Sequence, residues 1–219
     1  MQNRLCLINQ TAGIGDILYT LQIGHILAQR GFNVLWPIIK EYSWISEYIS
    51  CDGVNLIPES SDFPMKELYT SAENEVVQKK DLLYIPLKKS TLSQLGSRYP
   101  LMLSKYGMMG LTKKSKDWHK VLRINRNVEK EGFVKDYYNI GGQDDYIFCN
   151  RMIGSPDGHL IKLKEMESSI KELEKKYIPS MIKENEFIVN TNIFDFMGLL
   201  SEAKEVHVPN SALAWIAEL

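Results

Sequence analysis

Apolar runs of strand length alternate with amphipathic, helix-length segments through this chain of 219 residues, and that alternation limits what the chain can fold into. Leu5 to Ile8 is a short apolar run that ends in a polar, glycine-bearing turn. Asp16 to Arg30 then carries Ile17, Leu18, Leu21, Ile23, Leu27 and Ala28 toward a helical stripe, and Gly31 stands where a helix-ending glycine belongs. Phe32 to Ile38 reads as a second strand, Tyr42 to Ile49 as a short helix, Val54 to Pro58 as a third strand and Leu82 to Pro86 as a fourth. Strands linked through helices run parallel, so the pattern predicts an α/β fold with a doubly wound, Rossmann-like sheet.

From Ser90 to about Ile140 the pattern turns helical, with Ile124, Val128, Phe133 and Tyr137 on one stripe, and this stretch reads as a connection between two units. Gly141 and Gly142 interrupt it before a new strand, Tyr146 to Cys149, where the cycle restarts. Leu163, Met166, Ile170, Leu173 and Tyr177 recur at spacings of three and four, which predicts an amphipathic helix over 162–178. Phe187 to Val189 reads as the next strand. Asn192 to Ala203 reads as a helix with Asn192 and Asp195 in a capping-box-like start, Val206 to Pro209 as a strand, and Asn210 as the opening of a last helix.

The expected organisation is a Rossmann-like domain over 1–122, a linker helix over 123–143 and a second Rossmann-like domain over 144–219. Three strands are visible in the second domain, where sheets usually hold about five or six. The last helix reaches Leu219 without a cap, so a truncated, incomplete second domain is expected.

A formal net charge of -1 gives no global field for phosphate backbones or anionic lipid, and the lysine clusters at Lys88, Lys89 and at Lys113, Lys114, Lys116 are short. No nucleic-acid partner is expected. Cys6, Cys51 and Cys149 are far apart and form no paired framework, which points to a reducing compartment. No segment reaches the ~20 apolar residues of a membrane span, and no charged leader precedes a long apolar stretch. A cytoplasmic protein without a transmembrane segment is expected. His25, His119, His159 and His207 make no ligand spacing and no D-x-D cluster occurs, so neither a metal site nor a cofactor is expected.

The chemistry concentrates in the first turn, TAGIGDILYT, where Gly13, Ile14 and Gly15 cross from strand to helix and Asp16 begins the helix. Glycines there let backbone approach a ligand. Leu18 occupies the third glycine position of a dinucleotide fingerprint, and Asp16 places negative charge where a pyrophosphate would sit, so an anion is disfavoured at this turn. A carboxylate above the carboxyl ends of the strands suits a base, and it equally suits a favourable first-turn residue.

The turn G-I-G-D-I-L, followed by helix and strand, resembles the N-terminal turn of heptosyltransferase-like GT-B glycosyltransferases. The stretch NIFDFMGLLSEAKEVHVPNSALAWIAEL is similar to the part of such enzymes that runs helix, strand, then a small polar pair beside the donor diphosphate. The resemblance implies a GT-B fold and a metal-independent, inverting transfer of a sugar from a nucleotide-sugar donor to a hydroxyl on a glycan or other acceptor. It implies Asp16 as the catalytic base and Asn210 and Ser211 at the donor diphosphate. Such proteins often carry an acidic residue before the serine, where this chain has Asn210. GT-B enzymes also place a basic residue near the start of the second domain; Arg151 and Lys162 are the candidates. A GT-B-fold sugar-nucleotide epimerase and a non-catalytic glycan- or nucleotide-binding protein are alternatives within the same cleft, and a homo-oligomer is compatible with either.

Overall fold

A computed structural model describes residues 4–11, 13–59, 75–89, 101–141, 145–154, 160–162, 164–185, 192–209 and 211–219. The chain divides into two units, Met1–Asn125 and Arg126–Leu219. The first runs β1 (Arg4–Ile8), α1 (Ile14–Gln29), β2 (Phe32–Ile38), α2 (Ile45–Tyr48), β3 (Ile49–Cys51), β4 (Val54–Pro58), β5 (Val77–Lys79), β6 (Leu82–Ile85), α3 (Leu101–Met108), a 3-10 segment (Thr112–Val121) and β7 (Leu122–Ile124).

Cys6, Leu7 and Ile8 are fully buried, as a run without alternation requires of a central parallel strand. β1 pairs in parallel with β2 on one side and β6 on the other, so that Cys6 stands opposite Val34 and Leu83. β4 extends the sheet beyond β2, and β5 adds an antiparallel edge to β6, giving the order β4-β2-β1-β6-β5. The chain steps outward from β1 through β2 to β4 and returns to the far side of β1 with β6. The strand order therefore reverses beside β1, and ligands of open α/β sheets bind outside the carboxyl ends of the strands at such a reversal.

α1 is buried on two sides. Gly24 lets it approach the sheet: a Cβ there would lie 2.9 Å from Val54 Cγ2 and 3.2 Å from Trp36 Cζ3. Its other side carries Tyr19, whose ring meets Tyr106 of α3 at 5.3 Å and Trp118 of the 3-10 segment at 5.7 Å. The Tyr106 hydroxyl donates to the Tyr19 carbonyl at 2.6 Å. Residues 101–124, which the sequence pattern suggested as a connection, thus cover α1, and β7 pairs antiparallel with β3 within the same unit.

The second unit runs α4 (Val128–Tyr137), β8 (Ile147–Cys149), β9 (Met152–Gly154), β10 (Leu160–Lys162), α5 (Lys164–Lys176), β11 (Ile182–Glu184), a 3-10 turn (Ile193–Phe196), α6 (Met197–Glu202), β12 (Glu205–His207) and α7 (Ala212–Ala217). Buried β8 is the centre of a parallel sheet, β11-β8-β12, and β9 and β10 form an antiparallel pair. Ile170 and Leu173 of α5 pack on Ile147 and Cys149, with Tyr177 and Ile182 at the margin. Asn192 and Asp195 form a reciprocal capping box ahead of α6.

Ile182–Glu184 is one of two parallel neighbours of β8, the other being β12, and the expected strand Phe187 to Val189 lies outside the described residues. One expectation needs correction here. The expected linker helix over 123–143 is α4, shorter and packed against α6, and its anticipated stripe faces outward: Val128, Phe133 and Tyr137 are exposed. Glu131 and Val134 form its buried side instead, because Arg126 neutralises the Glu131 carboxylate where it enters the interior.

Candidate functional site

The turn after β1 is tied to both neighbouring strands. Asn9 N–H donates to Ile85 O at 2.8 Å and Asn9 O accepts from Lys88 N–H at 2.7 Å; the Asn9 amide donates to the Tyr84 hydroxyl at 3.0 Å. On the other side Trp36 Nε1 donates to Gln10 O at 2.9 Å, and Ile39 N–H donates to Thr11 O at 3.1 Å. Asn9, Gln10 and Thr11 are buried, so this polar loop is fixed by its own hydrogen bonds.

Gly13 turns the chain into α1 at φ +82°, a left-handed conformation that favours glycine, and its carbonyl accepts from Ile17 N–H at 2.9 Å. A Cβ on Gly13 would stand 2.8 Å from Asp16 Oδ2, so the absent side chain also makes room for the carboxylate. Gly13, Ile14, Gly15 and Asp16 thus form one short stretch at the carboxyl end of β1.

Asp16 does not stand alone. Its Oδ1 is ion-paired with the ammonium of Lys105, which projects from α3 and also donates to Gln10 Oε1 at 2.6 Å. The Lys105 side chain is 4% exposed and that of Asp16 33%, so the carboxylate is the end of the pair that solvent reaches. Burial pulls the Lys105 pKa below the usual lysine value, and the Asp16 charge and hydrogen bond oppose that fall. Nothing in the sequence marks Lys105: its neighbours in LMLSKYGM are ordinary helix residues, and the contact joins positions 89 apart.

In the second unit Arg151 follows β8 after one residue, Asn150. Its Nη2 is ion-paired with Glu184 at the end of β11, while Nε is buried without a partner among the described residues. The adjacent Asn150 accepts from the Asn185 amide at 3.2 Å. Both residues are buried at the carboxyl edge of the sheet. Tyr137, Tyr138, Ile182, Lys183 and Glu184 line an open hollow of about 380 Å³ beside them. Lys162 closes β10, with its backbone in register with Met152, the residue after Arg151. Ser211 precedes α7 in extended conformation; its hydroxyl makes no capping bond and is buried without a partner among the described residues. Asn210 lies outside the described residues. Among the described residues no helix is long and apolar enough to cross a membrane.

No family model matches the sequence, and no curated protein matches it. Solved structures do. The chain is similar in fold to a glycosyl transferase of family 9 from Veillonella parvula DSM 2008, with a TM-score of 0.50 and 8% identity over 99% of this chain and 78% of that one. Two other matches are the E. coli heptosyltransferase WaaC with ADP (TM-score 0.41, 14% identity, 98% of this chain and 84% of that one) and the E. coli ADP-heptose lps heptosyltransferase II (0.44, 10%, 98% and 81%). At 8% identity the first likeness is one of fold.

Proposed function

We propose that this chain is a GT-B-type glycosyltransferase that moves a sugar from a nucleotide-sugar donor to an acceptor hydroxyl with inversion and without a metal ion. The observation that carries this reading is the partly exposed Asp16 carboxylate, held by Lys105 at the strand-order reversal of a sheet whose fold resembles a family 9 glycosyltransferase. Asp16 takes the proton of the acceptor hydroxyl as its oxygen attacks the anomeric carbon. The bond from that carbon to the diphosphate oxygen breaks, and the nucleoside diphosphate leaves with the electron pair. The backbone of Gly13, Ile14 and Gly15 borders the acceptor. Arg151, Lys162, Asn210 and Ser211 receive the developing negative charge on the donor side. Among the described residues the Nε of Arg151 and the hydroxyl of Ser211 have no partner, which supports that assignment, since buried polar groups ordinarily have one.

The test is a panel of ADP-, GDP- and UDP-sugars incubated with acceptor extracts, read as nucleoside diphosphate release and product mass. Asp16→Asn keeps the size of the side chain and removes the basic lone pair, so turnover on the productive pair should fall ~10²–10⁴-fold. Donor binding should be unchanged. Turnover close to that of the parent chain removes Asp16 from the mechanism.

A further inference from the structure

The Lys105 side chain is buried, and Asp16 is the more exposed partner of its ion pair. The lysine side chain is 4% exposed, and its described polar contacts are Asp16 Oδ1 and Gln10 Oε1. The backbone of Gln10 is fixed in turn, because its main-chain carbonyl accepts from Trp36 Nε1, while its side-chain Oε1 accepts from the ammonium. The ammonium therefore bridges the side chain of a fixed loop residue and one carboxylate oxygen of Asp16, while the second oxygen lies over Gly13.

α3 holds Lys105 in place, since Tyr106, the next residue, donates from its hydroxyl to Tyr19 O of α1 and meets the Tyr19 ring edge to face. The ammonium is thus anchored to the helix that carries Asp16 by a neighbour independent of the ion pair. An exposed ion pair contributes little, but one with a buried, amide-bound cation fixes geometry as well as charge.

We infer that Lys105 is a positioning residue for the proposed transfer: it engages Oδ1 of Asp16, locks the carboxylate in one rotamer, and leaves Oδ2 for the acceptor hydroxyl. This rests on Asp16 being the base. The arrangement trades some attraction, lost when the carboxylate accepts a proton, for an orientation set before the acceptor arrives. Misplacing a reacting group by about 1 Å can lower a rate ~10²-fold, so orientation is the larger effect.

The experiment combines kinetics with a direct view of the side chain. In Lys105→Met, three-bond couplings of Asp16 should show averaging over χ1 rotamers where the parent shows one. On the sugar nucleotide that the donor panel identifies, kcat should fall roughly 10- to 100-fold with the donor KM little changed. Lys105→Gln serves as a second variant if the methionine fails to fold, because it keeps a donor with a shorter reach. In 15N-lysine spectra the Lys105 Nζ signal should move on Asp16→Asn, an effect independent of turnover. An Asp16 side chain that holds one rotamer in both Lys105 variants overturns the inference, as does averaging with unchanged kcat. Full transfer by Asp16→Asn is a separate result that overturns the base assignment itself.

Discussion

The Lys105 ammonium and the Asp16 carboxylate are in contact across 89 positions of sequence, and the lysine is the buried partner. A carboxylate in the first turn of α1 would find some stabilisation from the helix terminus alone. Here a full charge from α3 is added, so the α3 region borders the candidate site as well as covering α1.

Gly13 and Gly31 provide a matched pair of substitutions. Both have positive φ, +82° and +85°, so alanine strains either position by about 1 kcal/mol or more. A Cβ at Gly31 meets nothing within 4 Å, whereas one at Gly13 meets Asp16 Oδ2 at 2.8 Å. Both variants should unfold at lower urea concentration. On the proposed mechanism only Gly13→Ala should also lose at least tenfold in turnover, since it alone displaces the carboxylate. Equal turnover in the two variants would separate the turn from the chemistry.

How far the sequence could be read follows from the range of the forces involved. β2 and β4 have the limits expected, Phe32–Ile38 and Val54–Pro58, because apolar runs between breakers are local signals. β11 is three partly buried residues, Ile182–Glu184, after a 3-10 turn, and such a short, half-polar edge strand lacks the apolar run by which strands are recognised. α4 misled for another reason: its helical period was legible, but the Arg126–Glu131 pair decides which side is buried, and periodicity counts no ion pairs. The Asp16 carboxylate carries a local mark in its glycine turn, while its contact with Lys105 is tertiary and has none.

That ion pair yields a prediction. The Glu131 side chain is 4% exposed and that of Arg126 45%, so removing the arginine leaves a buried carboxylate without its cation. Arg126→Met should destabilise the chain by roughly 1–3 kcal/mol, below the ~3–5 of a fully buried pair because the arginine is half in water. Arg126→Met combined with Glu131→Met should recover much of the loss, since the charge that needed compensation is gone. Urea unfolding of the parent, both single variants and the double variant measures this. Additive losses would contradict it.

Alkaline pH should weaken the fold through its thiols. Burial pushes Cys6 and Cys51 up to about 12 and Cys149 to about 11, against an ordinary value of 9.0. The unfolded chain then releases protons that the native state retains, so this contribution is present below pH 9 and is lost as pH rises toward the folded values. Lys105 acts in the opposite sense: its pKa is lowered from 10.5, the unfolded chain binds the extra proton, and stability rises with pH in the interval just below that value. Three thiols outweigh one lysine, so urea midpoints should decline from pH 9 upward. Cys6→Ala should shallow that decline while costing stability at neutral pH through the space it empties.

The donor side makes opposite predictions for two partners of one ion pair. Arg151 is held by Glu184, and its side chain is 25% exposed, so an arriving diphosphate competes with a carboxylate already in place. On the proposed function, Arg151→Met removes a charge-assisted contact that contributes ~1.5–3 kcal/mol and should weaken binding of the donor's nucleoside diphosphate roughly 10- to 100-fold. Glu184→Gln keeps the shape, removes the competing negative charge and frees the guanidinium, so affinity should rise a few-fold. Both effects should shrink at high salt, because the group is partly exposed and screening reaches it. Titration calorimetry with ADP, GDP and UDP at two salt concentrations checks the signs. If the pair only joins β8 to β11, both variants should lower the melting temperature and leave nucleotide affinity as it was, and Arg151 would then have no part in holding the donor.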